Sequence, residues 1–360
     1  FASDALSSVA YAPDEILLTL SIAGASAYLL SPWVALAVAV VMLTVVASYR
    51  QTVHAYPSGG GDYEVATANL GSRFGIGVAS ALLVDYVLTV AVSVSSGVAN
   101  LGSVLPFVAT HRVAIAVGAV LLLTAINLRG VRESGAVFTI PTYGFLIVVF
   151  GMIITGLVRI VVLGHDLRAP SADLAVSAEH GELTAAAMVF LLLRAFSSGC
   201  AALTGVEAIS NGVPAFKPPK SRNAAATLLL LGLVAITMIM GIVWLSRLTG
   251  VQLVENPARQ LHSGPADYVQ KTVTVQLGQA VFGENALLFV VAGATALILL
   301  LAANTAFTSF PVLGAILAQD RYLPRQLHTR GDRLAFSNGI MFLAAMAIIL
   351  IVAFEAEGTR

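Results

Sequence analysis

The sequence predicts an all-α membrane protein built from two inverted five-helix repeats, with helices one and six discontinuous and the second repeat ending after about nine helices in all. Three observations predict it. Of the 360 residues, 58% are hydrophobic and only 11% charged, against roughly 25% charged in an average soluble domain. The mean hydropathy of +0.90 comes from apolar runs repeated along the chain, so side chains must face lipid as well as one another. Acids together with proline or glycine interrupt the first and the sixth run, the pattern of paired broken helices.

A hydrocarbon core of about 30 Å needs about 20 apolar residues per helix. Nine runs meet that requirement, near residues 1–30, 32–49, 75–108, 112–128, 137–163, 185–211, 223–246, 285–318 and 334–354. The eighth exceeds one membrane thickness and is expected to tilt, protrude or bend near Pro311. Residues 1–163 form the first repeat, 164–184 an external connection, 185–354 an incomplete second repeat, and 355–360 a cut C-terminal end. Opening on Phe1 without a basic n-region, and stopping one helix short of a second set of five, the sequence reads as a fragment without a signal peptide.

With the first run entering from the cytoplasm, 11 Lys and Arg fall in the inner connections, Arg50, Arg129 and Arg222 among them, and 6 in the outer ones. The positive-inside rule favours that orientation. Formal charge is +0, with no compact Lys/Arg run to follow a nucleic-acid backbone. The single cysteine, Cys200, excludes an internal disulfide framework and a multi-cysteine metal site. All six histidines fall in predicted loops, so no intramembrane histidine relay or metal site is expected. The PSGGGDYE segment lacks the GK[ST] of a phosphate loop.

Charges inside the runs point to function, since each costs about 3 kcal/mol or more at a helix centre unless paired, hydrated or bound to an ion. In FASDALSSVAYAPDEILLTL, Asp4, Ser8 and Tyr11 share a helical face, and Pro13 frees carbonyls near Val9 and Ala10. Tyr86, Thr89 and Ser93 form an oxygen stripe on the third run. In the sixth, Gly199 and Gly205 weaken the helix ahead of Glu207, and Thr204 and Glu207, three apart, are expected on one face. Broken helices in a bilayer line cavities, and freed carbonyls there bind cations. For Asp4 and Glu207 the alternative is a buried structural carboxylate, and for the hydroxyls a bond to a neighbouring turn. Asp85 lies one residue off the Tyr86 face and is left out of the set. Arg194 stands at a depth comparable with Asp14 and Glu15, so a salt bridge is expected, acting as a static clamp or an outer gate. Asn304, Thr305 and Thr308 read as helix packing ahead of a second ion position.

The segments SDALSSVAYAPDEIL, DYVLTVAVSVSSG and GCAALTGVEAISNGVPAFKPPKSRN, with YPSGGGDY, INLRGVRESG and LGAILAQDRYLPR between and after them, resemble the amino acid, polyamine and organocation superfamily. Within it the first segment is most similar to the KimA-type potassium uptake permeases, related to the Kup transporters. The resemblance covers essentially the whole chain. It implies a LeuT-like five-plus-five core that binds K⁺ between helices one, three and six and couples it to proton entry. By motif position it implies cation ligands at Asp4, Tyr11, Tyr86, Thr89, Ser93, Thr204 and Glu207; the reading of the residues themselves puts proton coupling on Asp4 or Glu207, two like charges near one cation. It also implies about twelve helices and a cytoplasmic tail.

The residues carry their own discriminator. A carrier of amino acids needs exposed N–H groups at the helix-one break, usually through glycine, to hold a carboxylate. Here that position reads ALSSVAYA, with an acid and hydroxyls in place of glycine, which suit a dehydrated cation. The expected function is potassium import by alternating access in the plasma (inner) membrane, with protons and membrane lipid as partners, no cofactor, and a homodimer left open. An amino acid or polyamine permease is the alternative. A channel lacks a carbonyl-filter repeat to support it. An intramembrane enzyme lacks a His or Lys base near a serine.

Overall fold

The structure, a computed structural model, describes residues 2–57, 61–129, 135–178, 183–255, 257–260, 268–327 and 336–356. The side chains of residues 2–4, 135–138 and 258–259 lie outside that description. Six helices, including those within Ala25–Ala55, Thr139–Val162 and Ala286–Gln319, are long and apolar enough to cross a membrane. The protein is therefore a multi-pass membrane protein.

The first run is a broken helix. α1 (Ala2–Ser7) gives way to a 3-10 turn at Ser8–Ala10, and α2 (Ala12–Ser21) resumes after Tyr11 with proline in its first turn. Pro13 has no N–H to offer the Val9 carbonyl, so the ladder cannot run through. α3 (Ser31–Ala55) crosses back and is followed by the short polar helix α4 (Asp62–Leu70), α5 (Ser72–Gly102) and a surface turn, α6 (Pro106–Thr110). α7 (Arg112–Leu128) and α8 (Gly135–Leu157, ending in a π turn at Val158–Val162) complete the first half.

The second half opens on another broken helix. α9 (Ala185–Gly199) tightens into a 3-10 turn at Cys200–Leu203, and α10 (Glu207–Asn211) restarts beyond Thr204 and Gly205. Then come α11 (Lys220–Thr249), a surface turn α12 (Pro257–Gln260), the short apolar α13 (Val273–Phe282), α14 (Ala286–Gln319) and α15 (Ser337–Ala353). α14 carries Pro311 within one uninterrupted helix of 34 residues.

Each of the nine expected runs contains helix, but among the described residues α7, α15 and the broken first run fall short of the length that the six crossing helices have. The sequence reading missed α4 and α13, which lie in connections, and it placed His54 in a loop, whereas His54 occupies the last turn of α3. His180, His262 and His328 lie outside the described residues.

The buried side chains form two main cores. One joins α1, α2, α3, α8 and the sixth-run elements to α11, α13 and the first half of α14, through Val291, Ile298 and Leu299. The other joins α5, α7, α14 and α15. At one end of the bundle, Tyr63 of α4 donates to Asp320 beyond α14 at 2.5 Å. At the opposite end, Arg112 at the start of α7 pairs with Glu355 beyond α15 at 3.5 Å. Asn304 accepts from Asn127 of α7 at 2.7 Å, and Thr305 and Thr308 donate to carbonyls of their own helix. These bonds run to a neighbouring helix and to turns of α14 itself.

Candidate functional site at the paired helix breaks

The two breaks abut one another. Ser8 Oγ lies 3.3 Å from the Ala5 carbonyl and 3.4 Å from that of Ala202, placed to donate to either. Tyr11 Oη is 3.5 Å from Thr204 Oγ1, and Thr204 also donates to Ala201 O at 3.0 Å. One step further along, Thr19 of α2 donates to Ser198 of α9 at 3.5 Å. The α2 and α9 halves of the two broken helices thus run side by side.

Thr204 and Glu207 do not share a helical face. Thr204 is extended (φ −64°, ψ 149°) and Gly205 takes φ +83°, a left-handed conformation open to glycine, so the helical spacing rule does not apply across them. Thr204 turns toward Tyr11 instead. Glu207 opens α10, where its charge faces the positive end of a short helix. It is buried, and it lies within electrostatic reach of Tyr49 on α3, as do Tyr86 on α5 and Asp62 on α4. Tyr49 donates to Asp62 at 2.8 Å. Burial holds the Asp62 carboxyl above its ordinary pKa, against the pull of the Tyr49 hydrogen bond.

The stripe on α5 is longer than Tyr86, Thr89 and Ser93. Tyr86 and Ser93 are buried and Thr89 half-buried, and the same face continues through Ser96, Asn100 and Ser103. These outer residues, with Tyr11, Asp14 and Glu15, line a vestibule of about 360 Å³ open at the end opposite Asp62. Ser96, Asn100 and Ser103 were legible as a continuation of the stripe, which sequence reasoning stopped too early. Asp4 has its backbone in α1 and its side chain outside the described residues.

The outer charges pair differently from the expectation. Arg194 meets Glu255 at 3.9 Å, and Asp14 accepts from the Val273 N–H at 3.2 Å, capping α13. Glu15 stands within electrostatic reach of both Arg194 and Glu255. Glu255 belongs to the connection after α11, whose pairing is long-range. Its neighbourhood is fixed by Tyr28 donating to Leu253 O at 2.7 Å and by the Glu255 N–H donating to Ser21 Oγ at 3.3 Å.

The family described as Amino acid permease matches residues 3–358. The protein named Potassium transporter KimA, from Bacillus subtilis (strain 168), is 43% identical over 355 residues, covering 99% of this chain and 55% of that protein. The chain spans about half the length of that curated relative. The family and the relative are both transport proteins, not enzymes. With a family match over nearly its full length and a bundle of membrane-crossing helices, the chain belongs to the amino acid permease family.

Proposed function

We propose that this chain is the membrane core of a secondary transporter in the plasma (inner) membrane that imports potassium ions by alternating access, coupled to protons. One observation carries the reading. The breaks of the first and sixth helices touch through Ser8, Tyr11 and Thr204 within one core, and the oxygen stripe of α5 belongs to the other. A site made from both cores opens or closes when they tilt against each other. Residues 1–163 and 185–354 act as the two inverted repeats, joined through 164–184, with the Arg-rich end at the cytoplasm.

K⁺ enters through the vestibule and is dehydrated by Tyr11, Thr89, Ser93, Thr204 and carboxylate oxygens. It leaves past Tyr86 and Glu207. Asp4 and Glu207 are the two acids assigned to hold a proton as the cation departs, and two acids around one cation titrate as a pair. Glu15, Arg194, Glu255 and Asp14 form the outer gate.

The deciding measurement is rubidium or thallium flux into proteoliposomes of the full-length protein, with and without a pH gradient. Flux that rises with an inward proton gradient supports the reading, and absence of cation flux ends it. The second reading, an amino acid or polyamine permease, is favoured by the family description and by a vestibule wide enough for such a solute. Leucine or arginine uptake without cation flux would establish it.

The gate is testable apart from stability. The Arg194 and Glu255 side chains are 53% and 34% exposed and 3.9 Å apart, so their attraction contributes about 0–1 kcal/mol. Arg194→Gln is expected to leave the melting temperature nearly unchanged while altering the uptake rate severalfold. Unchanged uptake with lowered stability in detergent would make the pair a static clamp.

A further inference from the structure

A second cavity, of about 390 Å³, lies between α3 and α11 at the Arg-rich end, away from the breaks. Arg50 and His54 from α3 and Arg222 from α11 line its polar end, and Leu229, Leu230 and Leu233 its apolar wall. The two helices meet closely at Gly232, where a Cβ would come within 2.7 Å of Val46. From that contact the groove runs toward the cations.

Two tryptophans set the depth of this groove in the bilayer. Trp33 on α3 and Trp244 on α11 are 69% and 50% exposed, as aromatic residues are where a helix leaves the hydrocarbon. Trp33 and Arg50 are 17 residues apart and Trp244 and Arg222 are 22 apart, which at 1.5 Å per residue is about 25 Å and about 33 Å. Both intervals approximate one hydrocarbon thickness of about 30 Å. The three cationic or basic groups therefore sit at the level of lipid phosphates, and the leucine wall at the level of acyl chains.

Among the described residues no carboxylate lies within ion-pair distance of Arg50 or Arg222. His54 Nδ1 is tied to the Arg50 carbonyl at 2.7 Å, which leaves Nε2 as the ring nitrogen for a ligand. On the exposed face of α3, Leu36, Val40 and Leu43 continue the apolar track, as Leu230 and Leu233 do on α11.

We propose that this groove binds one anionic phospholipid of the cytoplasmic leaflet, its phosphate held by Arg50 and Arg222 with His54 beside them and an acyl chain laid along Leu229, Leu230 and Leu233. Charge complementarity selects the occupant. Paired guanidinium groups above a leucine wall suit a phosphate on a diacyl tail, and they give an apolar protein helix no partner for its polar end. The inference is independent of which solute is carried.

The test is native mass spectrometry of the full-length protein released from nanodiscs of palmitoyl-oleoyl phosphatidylglycerol mixed equally with the matching phosphatidylcholine. The wild type is expected to retain one phosphatidylglycerol with a preference of roughly tenfold or more. The Arg50→Gln/Arg222→Gln double variant is expected to lose that preference, and Arg50→Lys/Arg222→Lys to keep most of it. Ala226→Trp, which fills the groove one turn along α11 from Arg222, is expected to lose the bound lipid as well. Equal retention of both lipids by the wild type, or retention by the Gln and Trp variants, overturns the proposal. So does thermal stabilisation by inorganic phosphate alone equal to that by the lipid, or a lipid-free dimer that Ala226→Trp dissociates.

Discussion

Replacing Glu207 with Gln is expected to lower rubidium uptake by at least tenfold, equivalent to about 1.4 kcal/mol, and to abolish its dependence on a proton gradient. The carboxylate is buried at the first position of α10, in electrostatic reach of Tyr49 together with Tyr86 and Asp62. In a low-dielectric site a neutral amide can neither balance a dehydrated cation nor take up a proton when the cation leaves. Stability is expected to change little. Gln keeps the shape of the side chain, and the lost interaction with the N-terminal end of α10 is worth about 0.3–1 kcal/mol. Uptake in proteoliposomes and the melting temperature in detergent therefore separate two roles. A transport carboxylate gives lost flux and a nearly unchanged melting temperature. Full flux with a large fall in melting temperature would identify a structural carboxylate and remove Glu207 from the mechanism.

How much of this could be read from the sequence depends on how local each signal is. Nine apolar runs were legible because lipid imposes length and hydropathy directly on contiguous residues. The breaks were legible because Pro13 removes a backbone donor at a fixed position and Gly199 and Gly205 punctuate the sixth run. What failed was periodicity carried across a break. Thr204 and Glu207 are aligned only on an intact helix, and the positive φ of Gly205 separates them, sending the hydroxyl to Tyr11 and the acid to the start of α10.

Tertiary pairings were hidden for a different reason. Glu255 sits in a connection far from Arg194 in sequence, and no spacing rule relates the two. Asp14, expected beside Arg194, instead caps α13, a helix of 10 residues too short to register as a span. Tyr49 and Asp62 meet where the first residue of α4, which packs on α5, reaches the last turns of α3, so their grouping with Glu207 needed coordinates.

Gly205→Ala is expected to damage the site through the backbone alone. At φ +83° an added Cβ crowds the following carbonyl, and the left-handed conformation costs about 1–2 kcal/mol for a residue other than glycine. The least costly relaxation is rotation back toward helix. That rotation would swing Thr204 away from Tyr11, now 3.5 Å distant, and take one oxygen out of the set. The apparent affinity for rubidium is therefore expected to fall severalfold along with a lowered melting temperature.

Gly199→Ala supplies the contrast. Its backbone is helical, and its Cβ would meet Ile16 Cγ1 at 2.9 Å and Val38 Cγ2 at 3.0 Å. Overpacking of that kind costs about 1–3 kcal/mol but leaves the conformation of the break intact. Stability should fall in both variants and affinity only in Gly205→Ala. If Gly205→Ala keeps wild-type affinity while Gly199→Ala loses it, the oxygens at the break do not form the cation site, and the contact of α9 with α2 and α3 becomes the determinant of transport.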